Sequence, residues 1–204
     1  VTVKRRAPAE RSALHGGGRH GMAARPMLPV LPLRFADDAE FLADLPYDPS
    51  VLFFDQLSAI ERDGDLLRCR MPTAQVMPIT SAQRTHPVRH PQHVAGAVMI
   101  HATGMFGFVH AYYVLGLRHR DGWIGYGTHI HRLVFRKLVQ PGPHAIDAKC
   151  TITKKRIGKA RCFVRYSFEL RHEGHLAYES DQSAMWIKVD EATPLLAALS
   201  PSAS

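Results

Sequence analysis

"AGAVMIHATGMFGFVHAYYVLGL", residues 95–117, runs for 23 residues without Asp, Glu, Lys or Arg. A segment this long and apolar either crosses a bilayer or forms the central helix of a core. His101, Thr103 and His110 fall inside it, and no belt of aromatic residues brackets it. The sequence on either side supplies amphipathic strands, which need something apolar to enclose. The expectation is therefore one long buried helix wrapped by sheet, and no membrane span.

Those strands are read from period-two alternation. In "HAIDAKCTIT" (144–153), Ile146, Ala148, Cys150 and Ile152 alternate with Asp147, Lys149 and Thr151. In "KARCFVRYSFELR" (159–171), Ala160, Cys162, Val164, Tyr166, Phe168 and Leu170 form the inward set. Turns at Ile157-Gly158 and Glu173-Gly174 make consecutive antiparallel hairpins, with a last strand around "QSAMWIKV" (182–189). Pairing Ile152 with Ala160 in the first hairpin sets Cys150 opposite Cys162, as two reduced core thiols. Upstream, "FADDAEFLADLPYDPS" (35–50) reads as a short helix broken at Pro46 and Pro49. "VLFFDQLSAIERDGDLLRCRM" (51–71) reads as two strands around Asp63-Gly64.

The order is short helix, strands, loop, long buried helix, then antiparallel strands: an α+β fold with a curved antiparallel sheet around one helix. The 204 residues divide into a basic, disordered tail (1–27), one domain (28–192) and a flexible carboxy-terminal tail (193–204). Of the net charge of +8, most sits in the first tail, where Lys4, Arg5, Arg6, Arg11, Arg19 and Arg25 face Glu10 alone. The folded domain thus lacks the charge of a nucleic-acid binder, and no aromatic stacking platform accompanies the basic tip "TKKRIGKAR" (153–161). That tip suits solvent, an acidic carrier protein or the phosphates of coenzyme A. Cys69, Cys150 and Cys162 are an odd set with no CxxC spacing, which fits reduced thiols in the cytoplasm.

Four stretches carry a family resemblance: "LPYDPSVLFFDQLSAIERDGDLLRCRM" with Asp55, "HPVRHPQHVAGAVMI" at the helix start, "YGTHIHRLVFRKLVQPG" with its Phe135-Arg136-Lys137 and Pro141-Gly142, and the final hairpins. Over about residues 40–190 the chain resembles the hotdog-fold 3-hydroxyacyl-ACP dehydratases and their acyl thioesterase relatives. The resemblance implies a hotdog fold, a dimer, and acyl groups carried as thioesters on acyl carrier protein or coenzyme A, without a cofactor. It implies dehydration or hydration of a 3-hydroxyacyl thioester, of the kind used in fatty-acid or polyketide-type metabolism, with thioester hydrolysis as the alternative. A non-catalytic acyl-binding subunit of a heterodimer is the third reading.

By the same resemblance His86 takes the position of the loop base, with His90 and His93 as substitutes that also bind substrate. Gly96 and Ala97 offer their amides to the thioester carbonyl, and His101 from the other subunit assists the hydroxyl. Thr103 and Phe106 complete the substrate-binding set. The family's helix carboxylate is missing: no Asp or Glu occurs between Asp65 and Asp121. Any acid–base chemistry at this site falls to histidine, to Thr103 or to a group from elsewhere. The four histidines are read as something other than a zinc site, since they lack paired ligand spacing and an orienting carboxylate. His110, half a turn away from His101, is read as structural, and the His129/His131 pair as polar strand positions.

Overall fold

The computed structural model describes residues 28–189; both tails expected from the sequence, and residues 190–192, lie outside the described residues. The elements are β1 (Leu33–Arg34), α1 (Ala39–Asp44), β2 (Gln56–Glu61), β3 (Leu66–Met71), α2 (Pro78–Ser81), α3 (Gly96–His110), β4 (Trp123–Phe135), β5 (Ile146–Ile157), β6 (Arg161–His172) and β7 (His175–Lys188). The strands form one antiparallel sheet in the order β1-β2-β3-β5-β6-β7-β4. α3 lies against its inner face, which is the arrangement the sequence implied.

Alternation explains the sheet. Cys162, Val164, Tyr166, Phe168 and Leu170 of β6 are all buried, while Arg161 and Arg171 are exposed. Against them pack Met105, Phe106 and Val109 of α3, each at most 1% exposed. Two aromatic contacts hold the helix: Phe106 lies 6.1 Å from Phe168 of β6 and 5.1 Å from Phe54 in the loop before β2, ring centre to ring centre. The helical stretch Gly96–Leu115 is long and apolar enough to cross a membrane, yet 67% of its most apolar part is buried inside the protein.

A five-residue π turn, Ala111–Leu115, continues α3 and stops at Gly116, whose φ of 66° is the left-handed conformation glycine adopts without penalty. The end of the helix is pinned from the short helix α1. Tyr113 donates to Asp38 at 2.9 Å, and Asp44 accepts from the amides of His119 and Arg120. Burial, and then the Asp38 hydrogen bond, push the Tyr113 hydroxyl's pKa up.

One register expectation fails. Cys150 pairs with Phe168 and Ile152 with Tyr166, while Cys162 lies opposite Ile157 and Ala160 is an exposed turn residue. The reason is that β5 runs on to Ile157, through a bulge between Ile152 and Lys154, so the basic run is strand rather than turn. All three cysteines are free and buried.

Candidate active site

The amino end of α3 is built by its neighbours. The amide of Val94 donates to the Val139 carbonyl at 2.7 Å, and that of Ala95 to the Thr80 hydroxyl at 3.0 Å. Those two donors are occupied. The next two, on Gly96 and Ala97, have no acceptor among the described residues, and Ala97 is exposed. Gly96 lines a cavity of about 440 Å³ together with His93, Val94, Met99 and residues Phe135 to Leu138, and Ala97 follows it on the exposed side of the helix start. A Cβ on Gly96 would sit 2.7 Å from the Phe135 ring, so any larger residue here displaces that ring. Arg136 is held away from free use: it pairs with Glu179 at 2.5 Å, and Arg132 reaches the same carboxylate at 2.7 Å. The Arg136 hydrogen bond is the main cause lowering the Glu179 pKa.

Hydrogen bonds fix which ring nitrogens of the loop histidines carry protons. His86 and His90 form a small two-residue bridge, with backbone bonds of 2.7 and 3.0 Å. Nδ1 of His86 accepts from the amides of Val88 and Arg89, at 3.2 and 3.0 Å. That nitrogen must therefore be unprotonated and engaged, which leaves the proton on Nε2. His86, expected as the base, has no free lone pair; its ring organises the turn. His93 is the opposite case. Its Nδ1 lies 2.9 Å from the Pro91 carbonyl, which can only accept, so Nδ1 carries the proton and Nε2 keeps its lone pair. Gln83 brackets the His93 backbone, its Nε2 donating to the carbonyl at 2.8 Å and its Oε1 accepting from the amide at 3.1 Å. His90 is exposed and stands edge-on to His93, 5.2 Å away.

A second cavity, of about 220 Å³, lies farther along α3 against β4, β6 and β7. His101 lines it, half-buried between Tyr47 and Phe53, with Nε2 donating to the Val51 carbonyl at 2.9 Å. Phe53 holds a φ of 61°, a rare conformation for a bulky residue, and its carbonyl accepts from Gln75 at 2.6 Å. Thr103 also lines this cavity, and its hydroxyl donates to the Ile100 carbonyl at 2.7 Å. Phe106, expected to bind substrate, does not line either cavity. It is 0% exposed and belongs to the core between Phe54 and Phe168. His101 and Thr103 thus share one cavity, while His93 and Gly96 share the other.

The lining of both cavities contains no Asp or Glu. His110 belongs to neither. It is 0% exposed, bonded through Nδ1 to the Tyr166 hydroxyl at 3.0 Å, and burial lowers its pKa to about 3. No group of three or more His, Cys, Asp or Glu that could hold a metal ion occurs among the described residues.

Three contributors were not singled out in the sequence: Thr80, Phe135 as the cover of Gly96, and Gln182. Gln182 had a signal, because it is a polar residue at an inward position of β7, in phase with Tyr178, Ser180, Ala184 and Trp186. Thr80 had none, since its partner lies 15 residues away across a loop.

No protein-family model matches the chain, and no curated protein matches it. Solved structures do. A thioesterase from Haemophilus influenzae is 16% identical, with a TM-score of 0.45 over 68% of this chain and 82% of that one. A mutant thioesterase from Pseudomonas aeruginosa is 10% identical, with a TM-score of 0.49 over 74% and 93%. A hypothetical protein from Staphylococcus aureus is 13% identical, with a TM-score of 0.44 over 65% and 94%. At these identities the likeness concerns the fold alone. By its strand order and its wrapped central helix, the chain is a hotdog-fold protein.

Proposed function

We propose that the protein hydrolyses acyl thioesters carried on coenzyme A or acyl carrier protein. The observation that carries this reading is the His93 ring, held with its Nε2 lone pair available on the rim of the cavity where Gly96 offers a free amide. In the reaction, the oxygen of a water attacks the thioester carbonyl carbon while His93 Nε2 takes the water's proton. The carbonyl oxygen gains negative charge and is held by the amides of Gly96 and Ala97, at the positive end of the helix. The carbon–sulfur bond then breaks, the thiolate leaves with the proton from His93, and a carboxylic acid and a free thiol remain. Pro91 keeps the imidazole oriented throughout, through Nδ1.

Hydrolysis needs one base and one oxyanion site. Dehydration of a 3-hydroxyacyl thioester expels a hydroxyl, a far poorer leaving group than a thiol, which the dehydratases that the chain resembles protonate with a second, carboxylic acid, and the cavities hold no carboxyl group. His101 cannot supply the proton as a neutral ring, because its only N–H is committed to Val51. The geometry therefore favours thioester hydrolysis over the dehydratase reading.

The working unit in this proposal is a homodimer formed through β4. That strand is a free sheet edge of 13 residues, with Ile130 and Phe135 51% and 50% exposed. Antiparallel pairing of two such edges about their middle sets the Phe135 end of one copy beside the Gly125 end of the other. The cleft of one protomer then adjoins the second cavity of its neighbour. Lys137, on the cleft and without an acidic partner among the described residues, suits the phosphate of the carrier arm.

The test is incubation of the purified protein with acyl-CoA and acyl-carrier substrates, including 3-hydroxyacyl forms, followed by thiol titration and intact mass. Release of thiol is the expected result. Loss of one water with the thioester intact would return the dehydratase, and no change with any substrate would leave only a binding subunit.

A further inference from the structure

The second cavity carries a polar group whose orientation can be deduced. The Thr103 hydroxyl spends its one proton on the Ile100 carbonyl, so its oxygen can only accept from the Gln182 side chain 2.8 Å away. The Gln182 atom facing Thr103 must therefore be the amide nitrogen. The same nitrogen lies 2.9 Å from the Ser180 hydroxyl and 3.3 Å from that of Tyr178, which uses both of its protons. The amide is locked, and its oxygen points away from this cluster.

That oxygen accepts from no donor among the described residues. Nor is it one of the sealed, partnerless polar atoms, which are Oδ1 of Asp55, Nε2 of His110 and Nη1 of Arg118. Gln182 lines the cavity, and with its nitrogen turned to Thr103, Ser180 and Tyr178 the oxygen is the amide atom left for a ligand there. Around it the walls are largely apolar and aromatic: Phe108, Phe168 and Trp186, with Tyr47 at the rim. Gly104 and Gly127 leave gaps where a Cβ would meet nothing within 4 Å. At about 220 Å³ the space falls below the ~300 Å³ at which drug-sized pockets begin. It fits a short chain or a single ring.

We infer that this cavity selects a compact acyl group whose distal part carries a hydrogen-bond donor, a hydroxyl above all, which Gln182 Oε1 accepts. Gln182 is then a specificity-determining residue, and Thr103 and Ser180 are its positioning residues. This rests on the acyl-thioester reading for the identity of the ligand. An acceptor fixed in apolar surroundings discriminates because a plain acyl group would leave it without a partner, whereas a hydroxyl satisfies it.

The experiment compares matched pairs: 5-hydroxypentanoyl against pentanoyl, and 4-hydroxyphenylacetyl against phenylacetyl. Each is measured twice, as the CoA thioester in turnover and as the free acid in calorimetric binding. The wild-type protein is expected to favour at least one hydroxylated member by about tenfold. Gln182→Met keeps the side-chain length and removes the acceptor, and should bring the ratio to about one. Gln182→Glu keeps an acceptor and should retain the preference, which separates acceptor loss from damage to the fold. Equal affinity within both pairs, or a preference unchanged in Gln182→Met, overturns the inference. If the free acids show the preference while no thioester is cut, the cavity assignment stands and the hydrolytic reading falls. If thioesters are cut without preference, the reverse holds.

Discussion

The hydroxyl of Thr80 accepts from the amide of Ala95 at 3.0 Å, and so caps the buried helix one residue short of the donors that face the cleft. Neither residue of this pair touches the cavity at Gly96. Replacing Thr80 with Val removes the acceptor at constant shape and leaves a buried amide unpaired. Unfolding free energy in denaturant titrations should fall by about 1–2 kcal/mol. Turnover should fall as well, because Gly96 and Ala97 follow directly in the chain.

His93 and His86 sit on the same loop with opposite proton placement. His93→Ala is expected to lower kcat by roughly 10²–10⁴-fold with a smaller change in KM. His86→Ala should lose stability at the turn while retaining most of its kcat. Steady-state thiol-release assays on the two variants check this, and equal losses in kcat would reverse the assignment.

Gly104 is a helix-interior glycine whose missing Cβ faces empty space. Gly104→Ala should stabilise the helix by about 1 kcal/mol, or roughly 2–4 °C in Tm. The same methyl group narrows the second cavity, so turnover of ring-bearing acyl groups should decline. Calorimetry and a substrate series on one preparation would show stability and activity moving in opposite directions.

His110 gives the fold a defined acid sensitivity. Burial holds its pKa at about 3, while the unfolded chain takes up a proton near the ordinary 6.5. Below that value the unfolded state binds the extra proton and the native state does not. Stability is thus fully present above about pH 6.5, and declines by about 1.4 kcal/mol per pH unit towards pH 3. His110→Gln should flatten this decline relative to wild type in urea titrations at pH 7.5, 6.5 and 5.5.

Ile130, half exposed near the middle of the free edge of β4, tests the assembly. Ile130→Lys places a charge where two edges would join, and sedimentation should shift from twice the 22.8 kDa chain mass to one. A wild-type chain that already sediments at a single chain mass would remove the dimer from the proposal.

The fold was legible because two periodicities are clean. The uncharged run from Ala95 to Leu117 had either to cross a bilayer or to be enclosed, and the alternation of β6 showed what encloses it. The hairpin register was not legible, since it turns on a bulge after Ile152 that alternation cannot reveal. At the site, sequence grouped the loop histidines but put His86 ahead of His93, the reverse of the order their hydrogen bonds favour. Their ranking depends on which ring nitrogen meets an amide and which meets a carbonyl, as His86 and His93 show. Phe106 illustrates a further limit: its spacing places it on the helix, but only packing against Phe54 and Phe168 decides that it is core.

The acid-free walls also bear on how a cycle ends. If the protein hydrolyses thioesters as proposed, the compact carboxylate left behind after cleavage carries its charge on the atoms that the amides of Gly96 and Ala97 were holding, and no lining carboxylate pushes it out. Under the hydrolytic proposal, accumulated free acid should therefore compete with incoming substrate where the corresponding alcohol does not, which product-inhibition kinetics would check.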